Sequence, residues 1–135
     1  MSHLLDTNSF IDHLRRGPAS NVTARLTIAP PGSVYLCSVV LAELHYGAMH
    51  SGAAHQATNL ALLAKLRQQF VSLPFDDRAA EDYGRVRAHL AALGTPIGPH
   101  DLMIAAIALA NQMTLVTHNT TEFGRVPGLT LEDWQ

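Results

Sequence analysis

Pro99-His100-Asp101-Leu102-Met103-Ile104-Ala105-Ala106-Ile107-Ala108-Leu109-Ala110 runs through Asn111-Gln112-Met113 into Thr114-Leu115-Val116-Thr117. Proline is favoured in the first turn of a helix, because its missing N–H would find no intrahelical partner there anyway. The nine residues from Leu102 to Ala110 are apolar on every face, so this helix is expected to be central, ending near Asn111. The four residues after it read as a short strand. A helix buried all round that delivers the chain into a strand belongs to a layered α/β arrangement.

Working outward from this stretch, strand and helix signals alternate. His3 to Leu5 is a short apolar entry ending at Asp6, and Ser9 to Arg16 reads as helix up to Gly17-Pro18. Ser20 to Ile28 reads as a second helix, and Pro30-Pro31-Gly32 as a turn. Val34 to Cys37 is a buried strand, after which Ser38 can cap a helix starting at Val39. Helical composition continues to about Phe70 with a break at Ser51-Gly52, and Val71 to Leu73 is a weak strand. Asp76 or Asp77 caps a helix reaching Leu93, stopped by Gly94, and Leu129 to Leu131 is a last edge strand. Strands separated by helices predict an α/β fold with a short, mostly parallel central sheet and ligands bound beyond the carboxyl ends of its strands.

The bulk properties narrow the class. With 135 residues, 47% hydrophobic and 15% charged, the chain has room for one well-buried domain spanning 1–135. No apolar stretch is long enough for a membrane span, and Met1-Ser2-His3-Leu4-Leu5-Asp6 lacks the basic start of a signal peptide. Cys37 stands alone, which excludes an internal disulfide and a cysteine-based zinc cage; a reducing cytoplasm is the expected compartment. A formal charge of −2 is not the footprint of a nucleic-acid binder, yet clustered acids that hold cations can still meet phosphates.

Those acids are placed suggestively. Asp6 stands at the end of the first strand, where it either caps the next helix or faces the ligand side of the sheet. On a helix starting at Val39, Glu43 falls at the edge of the apolar sector of Val39, Val40, Leu41, Leu44 and Ala48. An acid there is costly unless it is protonated, bound to a cation or paired, for example with an arginine. Asp101 lies in the first turn of the buried helix, a position that the helix dipole favours in any case. Asn119 and Glu122 follow the strand at Thr114 to Thr117, where a polar turn would also suit them. Together these are the oxygen ligands preferred by magnesium or manganese. Zinc fits less well: the eight histidines read as scattered and solvent-facing, His50 and His55 lie on different helical faces, and no His-Glu-x-x-His occurs.

Read in order, the segments Leu4-Leu5-Asp6-Thr7-Asn8, Ser38 through Ala48 with Glu43 at its centre, Pro96 through Asp101, and Leu115 through Phe123 resemble the PIN domain. They are most similar to VapC toxins of bacterial toxin–antitoxin pairs, and the likeness continues through Arg125 to Leu129 and Leu131 to Trp134. The resemblance implies a three-layer α/β/α sandwich, magnesium-dependent ribonuclease activity with manganese as a substitute, and cleavage of tRNA or rRNA. It carries Asp6, Glu43 and Asp101 over as metal-binding acids. At the fourth position many PIN domains have an aspartate where this chain has Asn119, while some VapC-like members use the later acid, matching Glu122. A VapB-type antitoxin and a homodimer are the implied partners, and the apolar residues between Leu41 and Leu66 offer a surface for them. Two other readings share part of the pattern. A haloacid-dehalogenase-like phosphatase would place an aspartate where Asn8 stands and a catalytic lysine later, yet Lys65 is the chain's one lysine and has no motif around it. A PIN-fold binding module without activity would not need Asp6, Glu43 and Asp101.

Overall fold

In the computed structural model, which describes Met1–Gln135, the apolar helix at Pro99–Ala110 is central. Leu102, Ile104, Ala105, Ala106, Ile107, Ala108 and Ala110 are all buried. Burying one isoleucine side chain contributes about 1.5–3 kcal/mol, so Ile104 and Ile107 alone anchor this helix strongly.

The elements follow as β1 (His3–Leu5), α1 (Thr7–Arg16), α2 (Asn21–Ile28), β2 (Val34–Cys37), α3 (Ser38–His50), α4 (Ala53–Gln69) and β3 (Val71–Leu73). After them come α5 (Asp77–Ala92), α6 (Pro99–Ala110), β4 (Thr114–Val116), α7 (Thr120–Phe123) and β5 (Leu131–Glu132). All strand pairs are parallel, in the order β3-β2-β1-β4-β5. The chain steps outward from β1 to β3, then returns past β1 to β4 and β5. Right-handed crossovers made in opposite directions put α1 to α4 and α5 with α6 on opposite faces of the sheet. The packing agrees, with α3 against α4 and α5 against α6. The order reverses between β1 and β4, and this switch point opens a crevice at their carboxyl ends.

Several boundaries differ from the expected ones for local reasons. Asp6 caps α1 by accepting from the Ser9 N–H at 2.9 Å, so the helix starts at Thr7 rather than Ser9. Ser20 caps α2 through the Thr23 N–H instead of being its first residue, and a single 3-10 turn fills Gly17–Ala19. Ser38 does not cap α3. It is already helical, and its Oγ accepts from the Phe75 N–H, tying α3 to the segment after β3. Asp76, not Asp77, caps α5. The last strand sits at Leu131–Glu132, because the chain pairs with Leu115 and Val116 only from there. No helix is long and apolar enough to cross a membrane.

Candidate active site

Asp6 leaves β1 and Thr117 leaves β4, two neighbouring parallel strands with Leu5 opposite Val116. Both side chains therefore emerge on the two sides of the switch point. The Thr117 hydroxyl, fully buried, donates to Asp6 Oδ2 at 2.6 Å, and the Ser9 N–H holds Oδ1. Asp6 is thus both of the things the sequence allowed: a helix cap and a carboxylate fixed at the crevice. It is itself buried, at 5% exposure.

Glu43 arrives from α3, six residues beyond the end of β2. The Thr7 hydroxyl donates to its Oε1 at 2.7 Å, and His100 Nδ1 lies 3.7 Å from its Oε2. No arginine partners it, which removes the ion-pair explanation for an acid on that stripe. Asp101 projects from the first turn of α6. Burial pushes its pKa up to about 6, and the negative charges of Glu122, Glu43 and Asp6 push in the same direction, in that order. Asp101 is thereby within electrostatic reach of three acids from three other segments, and no arginine or lysine pairs with it. His100, if protonated, would offset them only partly.

The fourth position is a pair. Asn119 precedes α7, and its side-chain amide donates to Glu122 Oε2 at 3.0 Å. The Gly98 N–H donates to Glu122 Oε1 at 2.9 Å. These two bonds, with Arg125 nearby, hold the Glu122 carboxyl below the usual range. A methyl group placed on Gly98 would lie 3.9 Å from Glu122 Oε1 and 4.0 Å from Asp101 Oδ2, so the loop before α6 passes directly beside both acids.

All five residues singled out from the sequence are brought to this end of the sheet. Thr7, Thr117 and the Gly98 amide were not singled out. The available signal was positional: Thr117 directly follows a strand paired with β1, and Thr7 directly follows Asp6. The histidines are less scattered than expected, since His3 is paired with Glu132 and His13 with Thr23.

The donor set is consistently hard: carboxylates and an amide, with no thiolate and no imidazole among them. As they stand, no three His, Cys, Asp or Glu side chains are close enough together to hold a metal ion, so a cation would have to draw these acids inward. Oxygen donors of this kind fit a hard divalent cation better than zinc, whose sites favour thiolate and imidazole. Mutual repulsion around Asp101 is the physical feature that a divalent cation would relieve.

Comparison with known proteins leads to the same place. Residues 3–129 match the PIN domain family model. The tRNA(fMet)-specific endonuclease VapC of Shigella flexneri is 40% identical over 134 residues, covering 99% of this chain and 98% of the relative. The solved structure of DNA-bound VapBC from Salmonella typhimurium matches 100% of this chain and 99% of its own, with a TM-score of 0.92 at 35% identity. That of VapBC2 from Rickettsia felis, bound to a promoter DNA fragment, covers 100% of both chains with a TM-score of 0.90 at 32% identity. Likeness of this extent to VapC proteins is not consistent with a haloacid-dehalogenase-like phosphatase. The chain belongs to the PIN-domain family, and within it to the VapC-type ribonuclease toxins of toxin–antitoxin systems.

Proposed function

We propose that Asp6, Glu43 and Asp101 hold magnesium, with manganese as a substitute, and that Glu122 completes the acidic set with Asn119 as its support. The observation that carries this reading is that four carboxylates from four segments are gathered at the switch point, with the Asp101 carboxyl driven up by burial and then by its acidic neighbours. When bound, magnesium supplies charge neutralisation at the phosphodiester and an acidified water for hydrolysis. The protein's own part is positioning. Thr117 and the Ser9 amide fix Asp6, Thr7 fixes Glu43, and Gly98 with Asn119 keeps Glu122 ionised and oriented. A rigid set of this kind spends little reorganisation at the moment of reaction. Without a cation the same four charges repel a phosphate, so RNA cleavage is expected to require the metal.

The substrate we propose is a tRNA. The Shigella flexneri relative carries tRNA(fMet) specificity in its name and aligns over nearly the whole chain, which favours tRNA over rRNA. The regulatory partner is a VapB-type antitoxin, as in the VapBC complexes of the relatives. A recess of about 220 Å³ between α1, α3 and α4, lined by Ile11, Leu14, Leu44, Leu62 and Leu63, reaches Glu43 at its edge. A protein segment seated there would lie against the acids. Of the apolar residues marked in this region, Leu44, Leu63 and Leu66 are buried, while Tyr46 and Met49 are 70% and 59% exposed and suit self-association as a homodimer. The toxin would act in the cytoplasm, where its RNA lies.

The test is incubation of total bacterial RNA with purified, antitoxin-free protein in magnesium, followed by end mapping. Discrete cuts in tRNA are expected. Cuts confined to rRNA would shift the substrate, and no cuts by folded protein in magnesium would contradict the reading. Sedimentation showing only monomer at micromolar concentration would remove the homodimer.

A further inference from the structure

Beside the acids lies a second recess, a polar cleft of about 580 Å³. One wall is a single face of α1: Asn8, Ile11, Asp12 and Arg15 recur at the i, i+3, i+4 and i+7 spacing that stacks side chains on one side of a helix. The other wall is the turn after β4, with His118 and Asn119. Asn119 also supports Glu122, so cleft and acidic site share a boundary. From Asn8 to Arg15 the helix rises about 10 Å. The cleft therefore leads away from the acids for the distance of a short run of backbone.

The charged groups in this cleft are mostly committed. Asp12 is held by Ser20 and Arg16, which keep its carboxyl below the usual range. Arg16 is occupied by Asp12 and the Ala19 carbonyl. His118 is paired with Asp133 at 2.9 Å. Arg15 has no such partner: it is exposed, and it makes neither an ion pair nor a hydrogen bond within the chain. It remains free although the recess it shares with Glu43 lies on its other side. A free guanidinium at the far end of a polar cleft is suited to a phosphate, which it can grip with two parallel N–H bonds.

We propose that this cleft carries the RNA strand away from the scissile bond, with Arg15 gripping a backbone phosphate there and Asn8 and Asn119 lining the path. The inference rests on the nuclease reading above and adds the direction of the strand and the residue that holds it. Phosphate contacts of this type position a substrate without reading its sequence. Arg15 is thus a substrate-binding residue, distinct from the acids that would serve the chemistry.

The test uses full-length protein and fluorescently labelled bulk bacterial tRNA in magnesium, with Asp101→Asn present so that the RNA stays intact. Adding Arg15→Gln is expected to weaken binding about 5- to 10-fold near 0.1 M salt. It should also flatten the slope of log affinity against log salt by about 0.7–1. Arg15→Lys should restore the slope, and Arg67→Gln, which removes another unpaired cation on α4, should change neither quantity. In the otherwise unaltered protein, Arg15→Gln should raise KM with kcat nearly unchanged. If the wild type cuts tRNA and Arg15→Gln alters neither slope nor KM, the phosphate grip is wrong. Loss of antitoxin binding with RNA binding intact would overturn it in favour of a protein occupant. Failure of the wild type to cut any RNA would overturn the nuclease reading and this proposal together.

Discussion

Asp101 and Glu132 lie toward the same carboxyl-terminal edge of the sheet, one at the start of α6 and one in β5, yet their surroundings are opposite. Glu132 accepts from Trp134 Nε1 at 3.0 Å, pairs with His3 at 3.0 Å and lies 3.4 Å from Arg25. Those groups hold its carboxyl below the usual range. Asp101 is pushed up to about 6, first by burial and then by the charges of Glu122, Glu43 and Asp6. Glu132 is neutralised by the fold and stitches the β5 edge to β1 and α2. Asp101 is left for something outside the chain to neutralise. Acid content alone says nothing about function; the identity of the neighbours separates a carboxylate satisfied within the fold from a candidate for the proposed site.

The largest effect that could break this contrast is on cleavage. Asp101→Asn should lower kcat/KM for RNA by on the order of 10³-fold, equivalent to about 4 kcal/mol, whereas Glu132→Gln should leave it within about 2-fold, as an effect on the folded site rather than the chemistry. Single-turnover assays on both variants compare the two directly. Next comes Thr117→Val, which keeps the volume but removes the hydroxyl that orients Asp6. A 10- to 100-fold loss of activity or of magnesium affinity is expected, as for other groups that orient a metal ligand. Equal activity would mean that Asp6 needs no such support.

Smaller effects concern stability, where the two acids should differ in sign. Asp101 titrates higher in the folded than in the unfolded chain, so its contribution is fullest below pH 4 and is lost as pH rises toward 6. At pH 7.5 and without metal, Asp101→Asn should therefore stabilise the protein, by about 1 kcal/mol once solvent screening of a half-exposed carboxyl is allowed for. Added magnesium should shrink that advantage. Glu132 behaves oppositely: its folded pKa is depressed, so its stabilisation is present above about pH 4.5 and fades as pH falls further. Glu132→Gln should cost up to about 1 kcal/mol at neutral pH, since the group is partly exposed. Urea melts across pH 3 to 7.5 would show whether the two slopes diverge.

Much of this contrast could be read before any coordinates. The unbroken apolar run from Leu102 to Ala110 could only be a central helix, and Asp101 at its start was bound to open on a polar space. The place of Asp6 after a strand allowed either a helix cap or a site carboxylate, and the structure shows the cap at the carboxyl end of β1. The partners were not readable, because they depend on strands and helices far apart in the chain. Thr117 reaches Asp6 across 111 positions, and His3 reaches Glu132 across 129. Ser38 illustrates the same limit: its local signal is a helix cap, but tertiary packing directs its hydroxyl to the Phe75 amide. The choice between Asn119 and Glu122 could not be made in one dimension, where nothing shows that the two side chains are hydrogen-bonded to each other.

The most direct test of the central claim is a magnesium titration of tRNA cleavage by the wild type and Asp101→Asn, each purified free of antitoxin and checked for folding. The account predicts saturable, EDTA-reversible activity for the wild type and almost none for the variant at any magnesium concentration. Cleavage that persists in EDTA, or equal activity in both proteins, would contradict it.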